Sequence, residues 1–184
     1  MRFRVFATLS MPAAAFVGLR IDRIDRTTCV TALPGGWRTQ NPFRTMYWAV
    51  QGMGAELATG AVPFAISRSM PEKLRMFVVG VESTFTKRAK GKVTFTCENV
   101  GSARKAIERS MDTGESVDCD LKSVGRDASG DTVSAWIFKW NFWLLMKFSC
   151  VAIQNVAMCL PIDFCTLVAA QKPYFWDRIS FVRS

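Results

Sequence analysis

Between two groups of strand-like segments the chain carries one long run with the spacing of a helix, Asn41 to Gly60, NPFRTMYWAVQGMGAELATG. Asn41 suits an N-cap, Pro42 suits the first helical position, and apolar residues recur at helical spacing until Pro63. The run bears a carboxylate, Glu56. One mostly buried helix with a carboxylate on it, set in an otherwise β-rich chain, restricts both the fold and the chemistry.

The flanking segments alternate with the period of strands. Gly18 to Asp25 and Thr27 to Leu33 read as two short strands with Asp25-Arg26 at the turn. The apolar positions of the first slip from Leu19 and Ile21 to Ile24, which predicts a bulge. Pro34-Gly35-Gly36 ends the second strand. After Met70-Pro71 the period falls to two: Arg75 to Thr86 is one long strand, with Val79, Val81 and Phe85 on one face. In Lys92 to Glu98, Val93, Phe95 and Cys97 oppose Lys92, Thr94, Thr96 and Glu98. Ser102 to Asp112 is a short polar helix with Ala103, Ala106, Ile107 and Met111 on one side. Val117, Cys119 and Leu121 then alternate with Asp118, Asp120 and Lys122. Asp127 to Gly130 supplies a turn before the last strand, Val133 to Phe142. The order is ββ-α-ββ-(α)-ββ, and its hairpins imply an antiparallel sheet. One domain over residues 1–146 is expected, with 147–184 as a dispensable extension.

Composition removes several function classes. The chain has 184 residues and no histidine, which excludes Ser-His-Asp and Cys-His catalysis and the commonest zinc ligand. Acid–base chemistry falls to carboxylates, Lys, Tyr or Cys. Six cysteines contain no C-x-x-C pair, and the first three lie on strands, so buried reduced thiols are expected rather than disulfides or metal ligands. The net charge of +9 comes without a nucleic-acid motif and reads as a solvated basic surface. The start, MRFRVFATLSMPAAAFVG, imitates a signal peptide, but Pro12 interrupts its apolar run. An N-terminal helix and a cytoplasmic location are expected. Phe148 to Ile162 falls short of the roughly 20 residues of a membrane span.

On the helix, Thr45, Ala49, Gly52, Glu56 and Gly60 follow at steps of three or four and share one narrow face. The broader side, Met46, Val50, Met53 and Leu57, suits packing on a sheet. Small residues beside one carboxylate leave room for a ligand. They equally suit a helix whose glycines permit close packing and whose Glu pairs with an Arg.

The pattern resembles the α+β hot-dog fold, a long central helix wrapped by a six-stranded antiparallel sheet, and more narrowly the phenylacetate-type acyl-CoA thioesterases. Their helix start reads roughly N-x-x-G-T-x-H-G-G, with a catalytic carboxylate eight residues after the first Gly of the final pair. Here NPFRTMYWA fills those positions, and Glu56 stands eight residues after Trp48. Asn41, Thr45 and Glu56 match. Arg44 replaces the first Gly, Tyr47 the His, and Trp48 with Ala49 the Gly pair.

The resemblance implies an acyl thioester as substrate, with coenzyme A as part of the substrate and no separate cofactor or metal. Glu56 would activate water or attack directly, the Trp48 amide would polarise the carbonyl, and Asn41 would orient the water or the carboxylate. Thr45, Tyr47, Ala49, Gly52 and Gly60 would line the substrate. Lys87, Arg88 and Lys90 would hold phosphates of coenzyme A, or simply make a solvated, edge-protecting turn. A homodimer is expected, because proteins of this kind complete their sites between subunits. Apolar residues on both faces of the last strand, Trp136, Phe138 and Trp140 opposite Ile137, agree with a surface that needs covering. A non-catalytic acyl-ligand binder or interaction module is the alternative.

Overall fold

The computed structural model describes residues 8–145. In chain order these form α1 (Pro12–Phe16), β1 (Arg20–Ile24), β2 (Cys29–Leu33), α2 (Trp48–Ser69), β3 (Lys73–Phe85), β4 (Val93–Cys97), α3 (Val100–Thr113), β5 (Val117–Asp127) and β6 (Thr132–Leu145). The expected extension over 147–184, the run Phe148 to Ile162, and Cys150, Cys159 and Cys165 lie outside the described residues.

All strand pairs are antiparallel, in the order β1-β2-β4-β5-β6-β3, and α2 packs across the sheet. This is the hot-dog arrangement. The expected bulge in β1 occurs between Ile21 and Arg23. A second irregularity interrupts β3 between Val78 and Gly80.

Alternation decides which residues enter the core. Val93, Phe95 and Cys97 of β4 are fully buried beneath α2, while Lys92 and Glu98 are exposed. On β6 the same rule places Trp136, Phe138, Trp140 and Phe142 on the inner side, all buried. This corrects the expectation that the three aromatics mark a surface needing cover. They form the bed on which the helix rests, with Trp136 stacked on Phe138 and Trp140 on Phe142. The Trp140 indole N–H donates to Thr59 Oγ1 at 3.0 Å, and that of Trp136 to Ser134 Oγ at 2.9 Å, so neither buried donor is left unsatisfied.

The helix differs from expectation at both ends. It begins at Trp48 rather than Pro42, and runs to Ser69 through the buried Pro63. An interior proline removes one backbone bond and ordinarily breaks an isolated helix, but α2 is held from below along its length. Glycine makes that contact close: a Cβ at Gly54 would lie 2.6 Å from the Phe95 ring. Thr31 Oγ1 donates to the Gly54 carbonyl at 2.7 Å, tying β2 to the same turn. Met46 and Val50 are buried as expected, whereas Met53 and Leu57 are only half-buried and line a cavity.

Helix α3 sits beside α2 and against β5 and β6. Ala103, Ala106 and Ile107 are buried, but Met111 is exposed, one turn beyond the buried stripe.

Candidate active site

The segment before α2 is built around Asn41, which is not a helix cap. Its side-chain oxygen accepts from Phe43 N–H at 3.0 Å, Thr45 N–H at 3.2 Å and Thr45 Oγ1 at 3.1 Å. Asn41 N–H donates to the Thr45 carbonyl at 2.8 Å. Asparagine favours such local loops over helix, because its carboxamide competes for nearby backbone donors. Thr45 is therefore a loop residue and does not share the helix face with Ala49, Gly52, Glu56 and Gly60. Arg44 has φ +57°, a left-handed backbone that ordinarily favours glycine.

Two further bonds aim this loop at the helix: Met46 N–H donates to the Ala89 carbonyl and Tyr47 N–H to that of Thr39, each at 2.8 Å. Helix α2 then starts with no side chain capping its first turn. Amides at such an end carry partial positive charge and remain available to an incoming oxygen. The Trp48 side chain is exposed and meets Tyr47 edge-on, with ring centroids 5.9 Å apart, so it lies out on the surface.

Glu56 stands two helical turns further on. It enters a cavity of about 1250 Å³ between α2, α1, β1 and the inner face of β3 and β6. The wall is mostly apolar, with Leu19, Ile21, Met53, Leu57, Phe64 and Met76 among its members. The carboxylate stays accessible to solvent, yet its apolar surroundings strip enough hydration to raise its pKa above the ordinary range. Among the described residues it forms no ion pair. Among those residues, the pairing with an Arg that a structural Glu would have is not formed.

The remaining expected residues divide. Gly60 borders the cavity, but its lack of a Cβ is required by the Trp140 ring, 2.9 Å from where that atom would be. Gly52 faces Trp136 and, like Ala49 and Tyr47, is not part of the cavity wall. The Lys87 ammonium is held by Asp127 and Asp131 of the β5–β6 turn, at 2.7 and 2.6 Å. Arg88 and Lys90 are exposed on the connection from β3 to β4, which is not a hairpin, because β3 pairs with β6 and β4 with β2 and β5. Within one chain the Trp48 amide and Glu56 are not neighbours. Eight residues of helix separate them by roughly 12 Å. Sequence reasoning missed the second wall of the site, α1 and β1; the apolar residues Leu19, Ile21 and Ile24 carried that signal and were read only as a strand.

Among the described residues, no group of three His, Cys, Asp or Glu comes together to hold a metal. No helix among them is long and apolar enough to cross a membrane.

Solved structures share this architecture. A Pseudomonas aeruginosa protein of unknown function, described as a probable thioesterase, is 17% identical with a TM-score of 0.64, covering 78% of this chain and 95% of that one. A Chlorobaculum tepidum protein of unknown function is 12% identical with a TM-score of 0.65, covering 77% and 92%. A Haemophilus influenzae thioesterase is 15% identical with a TM-score of 0.58, covering 80% and 92%. At such identities the likeness is one of fold. No curated protein matches the chain. The profile of a domain of unknown function, DUF4442, matches residues 1–143, and the chain belongs to that family.

Proposed function

We propose that the protein hydrolyses acyl thioesters, with acyl-CoA as substrate, in the manner of the phenylacetate-type thioesterases its helix start resembles. The observation that carries the reading is Glu56, a carboxylate without an ion pair among the described residues, raised in pKa and placed in a mostly apolar cavity. Such a group is more basic than an ordinary carboxylate and can take a proton from water, or attack the thioester itself. The thioester carbonyl would take its hydrogen bond from an uncapped helix start, through the Trp48 N–H. Asn41, its oxygen already committed to the loop, has only its side-chain N–H groups to offer a ligand. Arg88 and Lys90 are the cations left on the β3–β4 connection for coenzyme A phosphates.

The distance between Trp48 and Glu56 asks for a second copy. A homodimer that brings one chain's helix start to the other chain's Glu56 completes the set. The edge position of β3 and its exposed Phe77, Val79, Val81 and Phe85 support this pairing. Free buried thiols at Cys29 and Cys97 accord with a reducing, cytoplasmic setting. The same distance favours the second reading for any monomer: a lone chain is an acyl-ligand binder without a catalytic pair.

A hydrolysis screen over short, long and aromatic acyl-CoAs, reading released thiol, tests the proposal alongside sedimentation of the same sample. Turnover by a dimer is expected. Absence of turnover with every thioester would refute it. A stable monomer at micromolar concentration would remove the shared site.

A further inference from the structure

The cavity next to Glu56 is larger than a catalytic carboxylate needs and has a direction. Its helical wall follows one side of α2 from Met53 to Ala65, through Leu57, Gly60, Ala61 and Phe64. From Glu56 to Ala65 that face rises roughly 14 Å, at 1.5 Å per residue. An extended chain advances about 1.2 Å per backbone bond, so this length takes roughly twelve bonds. The side chains beyond Glu56 on this face are small or apolar, and the opposite wall is made by Leu19, Ile21 and Ile24 of the first strand region, with Asp25, Arg26 and Arg104 the other charged members of the lining.

The chemistry of the wall chooses the occupant. A peptide laid here would bury N–H and C=O groups with few partners, at a cost for each. A short or aromatic acyl group would fill only the Glu56 end and leave the apolar remainder wet. A hydrocarbon chain has no polar atoms to satisfy and gains from every methylene buried.

We propose that the cavity binds a linear, saturated acyl chain of roughly ten to fourteen carbons, laid along α2 from Glu56 towards Ala65. The position of the thioester rests on the hydrolase reading above; the length of the chain rests on the cavity alone. Ala65, exposed and on the cavity wall near its far end, is then a specificity-determining position.

The test is calorimetric binding of S-alkyl-coenzyme A thioethers, which cannot be hydrolysed, to the full chain. Over alkyl lengths of about four to sixteen carbons, affinity should rise about fourfold per methylene and level off near twelve. In Ala65→Trp, shown to be folded by its thermal melt, the levelling point should move down by several carbons. Flat affinity along the series, or an Ala65→Trp variant that levels where the wild type does, would overturn the proposal. The two readings fail separately. Length-dependent binding without hydrolysis of any matching thioester would uphold the acyl groove and sink the hydrolase. Hydrolysis of short thioesters with flat affinity would do the reverse.

Discussion

Three glycines of α2 meet the sheet at different distances, so one substitution made three times has three outcomes. Replacing Gly by Ala in a helix interior gains about 0.8–1.0 kcal/mol from backbone propensity alone. At Gly52 the new Cβ would stand 3.5 Å from the Trp136 ring, an ordinary contact, so the full gain of about 0.8–1.0 kcal/mol is expected. At Gly54 it would lie 2.6 and 2.7 Å from two atoms of Phe95 and 3.2 Å from Leu33, both fully buried. Phe95 cannot retreat, because its other edge already faces Gly125, whose missing Cβ would be 2.7 Å away. Overpacking a filled core costs about 1–3 kcal/mol. With the ring hemmed in on both sides the cost falls in the upper part of that range, about 2–3 kcal/mol, leaving a net loss of about 1–2 kcal/mol for Gly54→Ala. Gly60 is intermediate: Trp140 is 2.9 Å from the new atom but borders the cavity and has room to yield, at some expense to its bond with Thr59. Its net change should be a loss of about 0–1 kcal/mol. Urea unfolding followed by tryptophan fluorescence and by circular dichroism measures all three, provided the two probes coincide. A Gly54→Ala protein as stable as the wild type, or a Gly52→Ala protein destabilised by more than about 1 kcal/mol, would refute this account of how the helix is seated.

Further predictions concern the loop, the carboxylate and the thiols. Arg44 occupies a left-handed conformation, so Arg44→Gly should raise stability by about 0.5–1 kcal/mol in urea unfolding; a loss would show that the arginine side chain is the stabilising part. The raised pKa of Glu56 means the folded state holds its proton more tightly than the unfolded chain. Its contribution to stability is therefore present below the ordinary value of 4.5 and is lost as pH rises through the folded pKa. Relative to Glu56→Gln, the wild type should lose urea midpoint as pH rises through that window, and an opposite slope would contradict an unpaired carboxylate. Burial pushes the Cys29 thiol up to about 12 and the Cys97 thiol up to about 11, so peptide mapping after alkylation at neutral pH should find both unmodified until denaturant is added.

Periodicity made most of the sheet legible. The strict alternation of Val93, Phe95 and Cys97 reports a strand buried on one face, and the slip between Ile21 and Ile24 reports a bulge, because each is a local property of the backbone. The ends of α2 were hidden for equally local reasons. Asn41 can cap a helix or fold its carboxamide back on a loop, and only the tertiary bonds of Met46 to Ala89 and Tyr47 to Thr39 decide for the loop. Pro63 reads as a terminator, yet packing beneath the helix carries it on to Ser69. Glu56 was legible as a candidate from its spacing to Trp48. Its surroundings were not, since Leu19 and Ile21 join Met53 and Leu57 only when β1 closes over the helix. The pairing of Lys87 with Asp127 and Asp131 spans about forty residues and left no local trace.

The central claim is that Glu56 performs chemistry, and Glu56→Gln tests it most directly. The amide keeps the shape of the side chain and removes the charge that apolar surroundings disfavour, so the fold should be as stable as the wild type or more so near neutral pH. Hydrolysis of a long-chain acyl-CoA, measured by released thiol under single-turnover conditions, should fall by orders of magnitude while binding of the matching thioether is retained. A Glu56→Gln protein that turns over at the wild-type rate would contradict the account.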